Sequence, residues 1–166
     1  MRAPQRTAGN NVSEERMAGN YVSEEPMAGD TVTSLEISRS VAASPERVWR
    51  AFTDPAELAA WFWPARFGTT AEIDLRSGGA FRIDGPLAGM AVSGQYVEID
   101  PPHRLVFTWQ WDGEEEQTVV TLTFTASAGG TDLLVVHERF TDPASADNHS
   151  QGWADCLDRL PGWLAA

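Results

Sequence analysis

The chain has 166 residues, 42% of them hydrophobic and 22% charged, which suits one globular domain whose core needs no disulfide or metal staple. A formal charge of −12 without a local basic stripe argues against nucleic-acid phosphates or an anionic membrane as partner. All twelve basic residues are arginine, which excludes Schiff-base chemistry, a P-loop lysine and a lysine general base.

The first residues lack the apolar run of a signal peptide, and the densest apolar stretch, residues 58–65, is far short of the ~20 residues of a membrane span. A cytoplasmic protein without membrane insertion is expected. Residues 8–17, AGNNVSEERM, return as AGNYVSEEPM at 18–27, with a looser copy, AGDTVTSLEI, at 28–37. The copies are polar and Glu-rich and have too few apolar positions to build a core, so residues 1–32 are predicted to be a disordered tail ahead of a domain over 33–166.

From Thr33 the pattern changes. Leu35, Ile37 and Val41 alternate with polar residues, the mark of a half-buried strand with Arg39 as the odd inward position. Ser44-Pro45-Glu46 starts a helix with an N-cap, a first-turn proline and an acidic residue at the positive helix end. Asp54-Pro55 repeats the device, with Glu57 placed for a capping box, and opens a second short helix ending near Trp61. Strands are predicted at 71–75 and 80–84 around Ser77-Gly78-Gly79, and at 92–99 before Pro101-Pro102. A further strand carries Leu105, Phe107, Trp109 and Trp111 on one face and turns at Asp112-Gly113. Strands at 119–125 and 133–140 follow. Asp142-Pro143 starts a last helix with the stripe His149, Trp153, Cys156, Leu157 and Leu160. The result is an α+β grip: a curved antiparallel sheet of about seven strands around a C-terminal helix, with two short helices after the first strand.

The residues in this order resemble the SRPBCC (START/Bet v 1-like) superfamily, in its branch named for the C-terminal domain of the activator of Hsp90 ATPase. Ser44-Pro45 with Val48-Trp49, Thr53-Asp54-Pro55 leading to Trp61, Asp74-Leu75-Arg76 with Gly78-Gly79, and Gly94 with Glu98 carry the resemblance. So do Pro101-Pro102 with Arg104-Leu105, Thr108-Trp109, Gly130-Thr131, His137, and His149 with Gly152-Trp153. The resemblance implies the helix-grip fold and a deep cavity between sheet and last helix, which in relatives holds lipids, sterols, polyketides or other apolar molecules. It implies no particular reaction. Two features depart from the pattern. The larger eukaryotic co-chaperones carry an additional N-terminal domain where this chain has its repeats, and Pro161-Gly162 falls inside the final helix. Proline costs about 3 kcal/mol in a helix interior, so the helix is expected to end or kink near Leu160, with Trp163-Leu164 packing separately.

No two of His103, His137, His149 and Cys156 stand at metal-ligand spacing, and neither a nucleophile elbow nor a phosphate loop followed by a helix is present, so no metal or cofactor is expected. Glu114-Glu115-Glu116 reads as a solvated hairpin tip, or else as a docking patch for a basic partner. The surplus is aromatic: seven Trp, seven Phe and two Tyr. Trp61, Phe67, Phe81, Tyr96, Trp109, Trp111 and Trp153 are the candidate walls of an apolar cavity, with Tyr96, His137 and His149 as its polar tips. A core filled solid by these rings is the competing expectation. The function expected is binding of a small hydrophobic or aromatic molecule without catalysis. Two alternatives stand beside it. One is a protein that stimulates an Hsp90-type chaperone ATPase. The other is a polyketide cyclase or dehydratase, or a natural-product self-resistance protein, with His137 or Tyr96 as acid–base group.

Overall fold

The computed structural model describes residues 33–166. The tail predicted over 1–32, and with it the first two repeats, lies outside the described residues. Strand β1 (Ser34–Val41) is followed by helices α1 (Pro45–Thr53) and α2 (Pro55–Trp61). Strands β2 (Thr70–Ile73), β3 (Ala80–Gly85), β4 (Met90–Asp100), β5 (Arg104–Trp111), β6 (Thr118–Ser127) and β7 (Gly130–Glu138) come next, then helix α3 (Pro143–Ala165). All neighbours in the sheet are antiparallel, in the order β1-β7-β6-β5-β4-β3-β2, so the chain's first strand joins its last and α3 lies across the inner face. This is the helix-grip architecture.

The helix starts are set by the caps in the sequence. Ser44 Oγ accepts from Arg47 N, an Asp54 carboxylate oxygen from Glu57 N, and an Asp142 carboxylate oxygen from Ala144 N. Glu57 completes no capping box. Its carboxylate instead takes hydrogen bonds from Arg47 at 2.7 Å, Arg50 at 3.0 Å and the Trp163 indole at 2.9 Å. Burial pushes its pKa up, but those three donors outweigh it and hold the group below the usual carboxylate range.

The helix does not end near Leu160: α3 continues through Pro161 to Ala165. The proline is exposed, while the next turn is held by tertiary contacts, Trp163 on Glu57 and Trp163 and Leu164 against the core. These contacts outweigh a propensity penalty of about 3 kcal/mol. The acidic turn is also not uniformly solvated. Glu116 accepts from Thr141 N at 2.8 Å, Thr141 Oγ1 at 2.7 Å and Ser145 Oγ at 3.1 Å, tying the β5–β6 turn to the start of α3. Arg39, the inward charge of β1, reaches Asp158 on α3 at 3.6 Å.

Candidate functional site

Between the middle of α3, the sheet and the loop after α2 lies an open pocket of about 340 Å³. Its first wall is the loop after α2, with Phe62, Trp63, Pro64, Arg66 and Phe67. The second is the sheet, with Met90 of β4 and Trp109 and Trp111 of β5. The third is one face of α3, where Asn148, His149, Gly152, Trp153, Cys156 and Arg159 recur at helical spacing with Asp155 at the edge. Trp63 lies parallel to Trp111, with centroids 6.1 Å apart and planes 11° apart, while Phe62 meets Trp153 edge-on at 5.7 Å.

Deeper between sheet and helix the space is filled. Phe52, Phe81, Tyr96, Phe107 and Leu122 close around a residual void of only about 20 Å³, separated from the open pocket by Phe62, Trp109 and Trp153, which border both. That is room for about one water. Trp109 is 5% exposed, and its Nε1–H is buried without a hydrogen-bond partner among the described residues. Leaving such a donor unsatisfied costs about 1–3 kcal/mol.

The nine residues singled out from the sequence therefore separate. Phe67, Trp109, Trp111, His149 and Trp153 stand on the wall of the open pocket. Phe81 and Tyr96 border only the small void, and burial pushes the Tyr96 hydroxyl well above its ordinary pKa. Trp61 is a core residue, 2% exposed, whose indole donates to the carbonyl of Ala51 at 2.9 Å. His137 borders neither space.

His137 is fully buried, and both of its ring nitrogens are engaged. The Trp153 indole can only donate, so its 3.0 Å bond to Nδ1 makes that atom an acceptor. The proton then sits on Nε2, which donates to Thr118 Oγ1 at 2.6 Å, and the Thr118 hydroxyl donates in turn to the carbonyl of Trp109 at 3.2 Å. His149 is fixed by the same logic in the opposite tautomer: Nε2 accepts from Trp111 Nε1 at 2.8 Å, and Nδ1 donates to the carbonyl of Ser145 at 2.7 Å. Both histidines thus hold tryptophans of the pocket wall in place. Neither His137 nor Tyr96 lines the open pocket.

Burial, with repulsion from His149 adding to it, pushes the His137 pKa down to about 3. The unfolded chain takes up this proton near pH 6.5 and the folded one does not, so stability falls as the pH drops from about 6.5 toward 3. Between pH 7 and pH 5 the loss attributable to this group is about 2 kcal/mol. Urea unfolding of the wild type and His137→Gln at both pH values should show the stability gap between them shrinking by that amount on acidification. A gap independent of pH contradicts the assignment.

The crowding of Trp61, Phe62, Trp63 and Phe67 around Pro64 points from the sequence to some of these rings lining a pocket or lying exposed, whereas Arg66, Met90, Gly152 and Arg159 are passed over as wall residues. The α3 members carried a signal: Gly152 and Arg159 continue, at the same period, the edge of the stripe through His149, Trp153 and Cys156. The loop residues carried none beyond their aromatic density.

A helix-grip domain with an aromatic-walled pocket between its last helix, its sheet and the loop after α2 defines the class, that of START/Bet v 1-like proteins. Within it, the chain belongs to the family described as Activator of Hsp90 ATPase homolog 1-like protein, whose profile matches residues 42–165. Among solved structures, a protein from Chromobacterium violaceum is 31% identical with a TM-score of 0.70, the match covering 81% of this chain and 99% of that one. An HSP90 activator from Plasmodium falciparum is 26% identical with a TM-score of 0.66, over 80% and 96% of the two chains. DynU16, a protein in the dynemicin biosynthetic locus, is 27% identical with a TM-score of 0.71, over 81% of this chain and 48% of that one. No curated protein matches the chain. Among the described residues no helix is long and apolar enough to cross a membrane, and no group of three or more His, Cys, Asp or Glu is placed to hold a metal ion.

Proposed function

We propose that the protein binds one small apolar, aromatic molecule in the open pocket, without catalysing a reaction on it. The observation that carries this reading is the pocket itself, about 340 Å³ with Phe62, Trp63, Phe67, Trp109, Trp111 and Trp153 on its walls. That volume lies at the lower end of the range typical of ligand sites, roughly 300–1,000 Å³, and calls for a compact occupant, not a long lipid. Affinity comes from ring surface withdrawn from water, at about 25 cal/mol per Å².

Native mass spectrometry of freshly purified protein, before and after denaturation, should reveal a small molecule carried along. Titration of the purified protein with the neutral dye N-phenyl-1-naphthylamine should saturate at one dye per chain. No carried mass together with no saturable dye binding would refute the reading. The family and the Plasmodium falciparum structure favour a second reading, stimulation of an Hsp90-type chaperone. An ATPase assay with the organism's own chaperone separates the two, because a ligand binder alone leaves turnover unchanged.

A further inference from the structure

We infer that the molecule held in this pocket is an aromatic acid, whose anionic group is met at the rim by Arg66 and Arg159. The inference rests on the binding reading above and adds a charge to the occupant. It comes from the arrangement of arginines. Arg39, Arg47, Arg50, Arg76, Arg82 and Arg104 each pair with a carboxylate. Among the described residues Arg66, Arg139 and Arg159 have no carboxylate partner, and two of these three stand on the wall of the same pocket. Six of the nine arginines among the described residues are thus paired. Two beside one apolar cleft leave positive charge where the rest of the molecule is negative.

The two differ in how they are held. Arg159 is half-buried and fixed, its Nε donating to the carbonyl of Trp61 at 3.2 Å and Nη2 to that of Phe62 at 2.8 Å, beside the Cys156 thiol. Arg66 is exposed, with its guanidinium carbon 5.3 Å from the centroid of the Phe67 ring. A planar cation resting on a ring beside an apolar cleft suits a planar anion attached to another ring. The opposing charge on the wall is Asp155, exposed, with Oδ1 accepting from Gln151 Nε2 at 3.0 Å. One carboxylate against two guanidinium groups leaves the wall net positive.

Two dyes isolate the charge. 1-Anilinonaphthalene-8-sulfonate and N-phenyl-1-naphthylamine share their ring systems and differ by one sulfonate. The sulfonate dye should bind about tenfold more tightly, despite the chain's charge of −12, because its anion makes charge-assisted hydrogen bonds that the neutral dye cannot. Arg66→Gln should lower the ratio of sulfonate-dye to neutral-dye affinity several-fold, and Asp155→Asn should raise it. Arg159 is kept in these variants, since it also ties α2 to α3. Equal affinity for both dyes, or a preference indifferent to Arg66→Gln, overturns the inference and leaves the binding reading standing. Absence of saturable binding for either dye removes the binding reading and the inference with it.

Discussion

Gly94→Ala is expected to destabilise the domain by more than about 3 kcal/mol and to lower its melting temperature by about 10 °C or more. Gly94 sits in β4 opposite Phe81 of β3, beside the β-bulge that shifts the β4–β5 register between Tyr96 and Glu98. A β carbon would collide with the backbone carbonyl oxygen of Thr108 on β5 and would stand 2.7 Å from the ring edge of Phe81. The carbonyl belongs to a paired strand and cannot turn aside, and Phe81 is packed among Tyr96, Phe107 and Trp109. Gly129→Ala is the matching control, because a β carbon at that turn position meets nothing within 4 Å. Thermal unfolding followed by circular dichroism compares the two. A Gly94→Ala protein that melts within about 3 °C of the wild type would show that β4 can shift at little cost.

Gly152→Phe should abolish ligand binding while leaving the fold intact. Gly152 lies on the pocket-facing side of α3, and a β carbon there meets nothing within 4 Å, so a larger side chain enters empty space. Glycine is also the poorest helix former after proline, at about 1 kcal/mol relative to alanine, so the replacement removes a local weakness. A phenyl ring in a pocket of about 340 Å³ occupies the room that the occupant needs and offers its own apolar surface to Trp63 and Trp111. The expected result is a loss of at least 30-fold, roughly 2 kcal/mol, in affinity for N-phenyl-1-naphthylamine, with an unchanged or higher melting temperature. Undiminished binding in a folded Gly152→Phe protein would move the site elsewhere.

The elements with local physical causes were legible in the chain. Ser44, Asp54 and Asp142, each followed by proline, announce helix starts that depend only on a side-chain oxygen meeting an orphan N–H. The alternation through Leu105, Phe107 and Trp109 announces a strand because side chains in a strand alternate faces whatever surrounds them. Pro161 misled because its cost is local while the compensation comes from Trp163 reaching Glu57, 106 positions earlier in the chain. The site was half legible for the same reason. That rings are in excess can be counted, but which of them fill the core depends on neighbours set by the fold. Phe81 and Tyr96 are absorbed by Phe107, whereas Trp63 and Trp111 stack on each other at the rim. His137, read from the sequence as a polar tip of the cavity, is committed on both nitrogens.

The grip of Arg159 on the carbonyls of Trp61 and Phe62 has a kinetic consequence. It bolts the helix carrying one jaw of the cleft to the end of the short helix carrying the other. Jaws set at a fixed gap need not close to receive a guest, and a preformed cleft spends little free energy on ordering itself. Stopped-flow mixing with a fluorescent guest should accordingly give a single exponential whose rate climbs in a straight line with guest concentration. A saturating rate would instead betray a slow rearrangement before or after encounter.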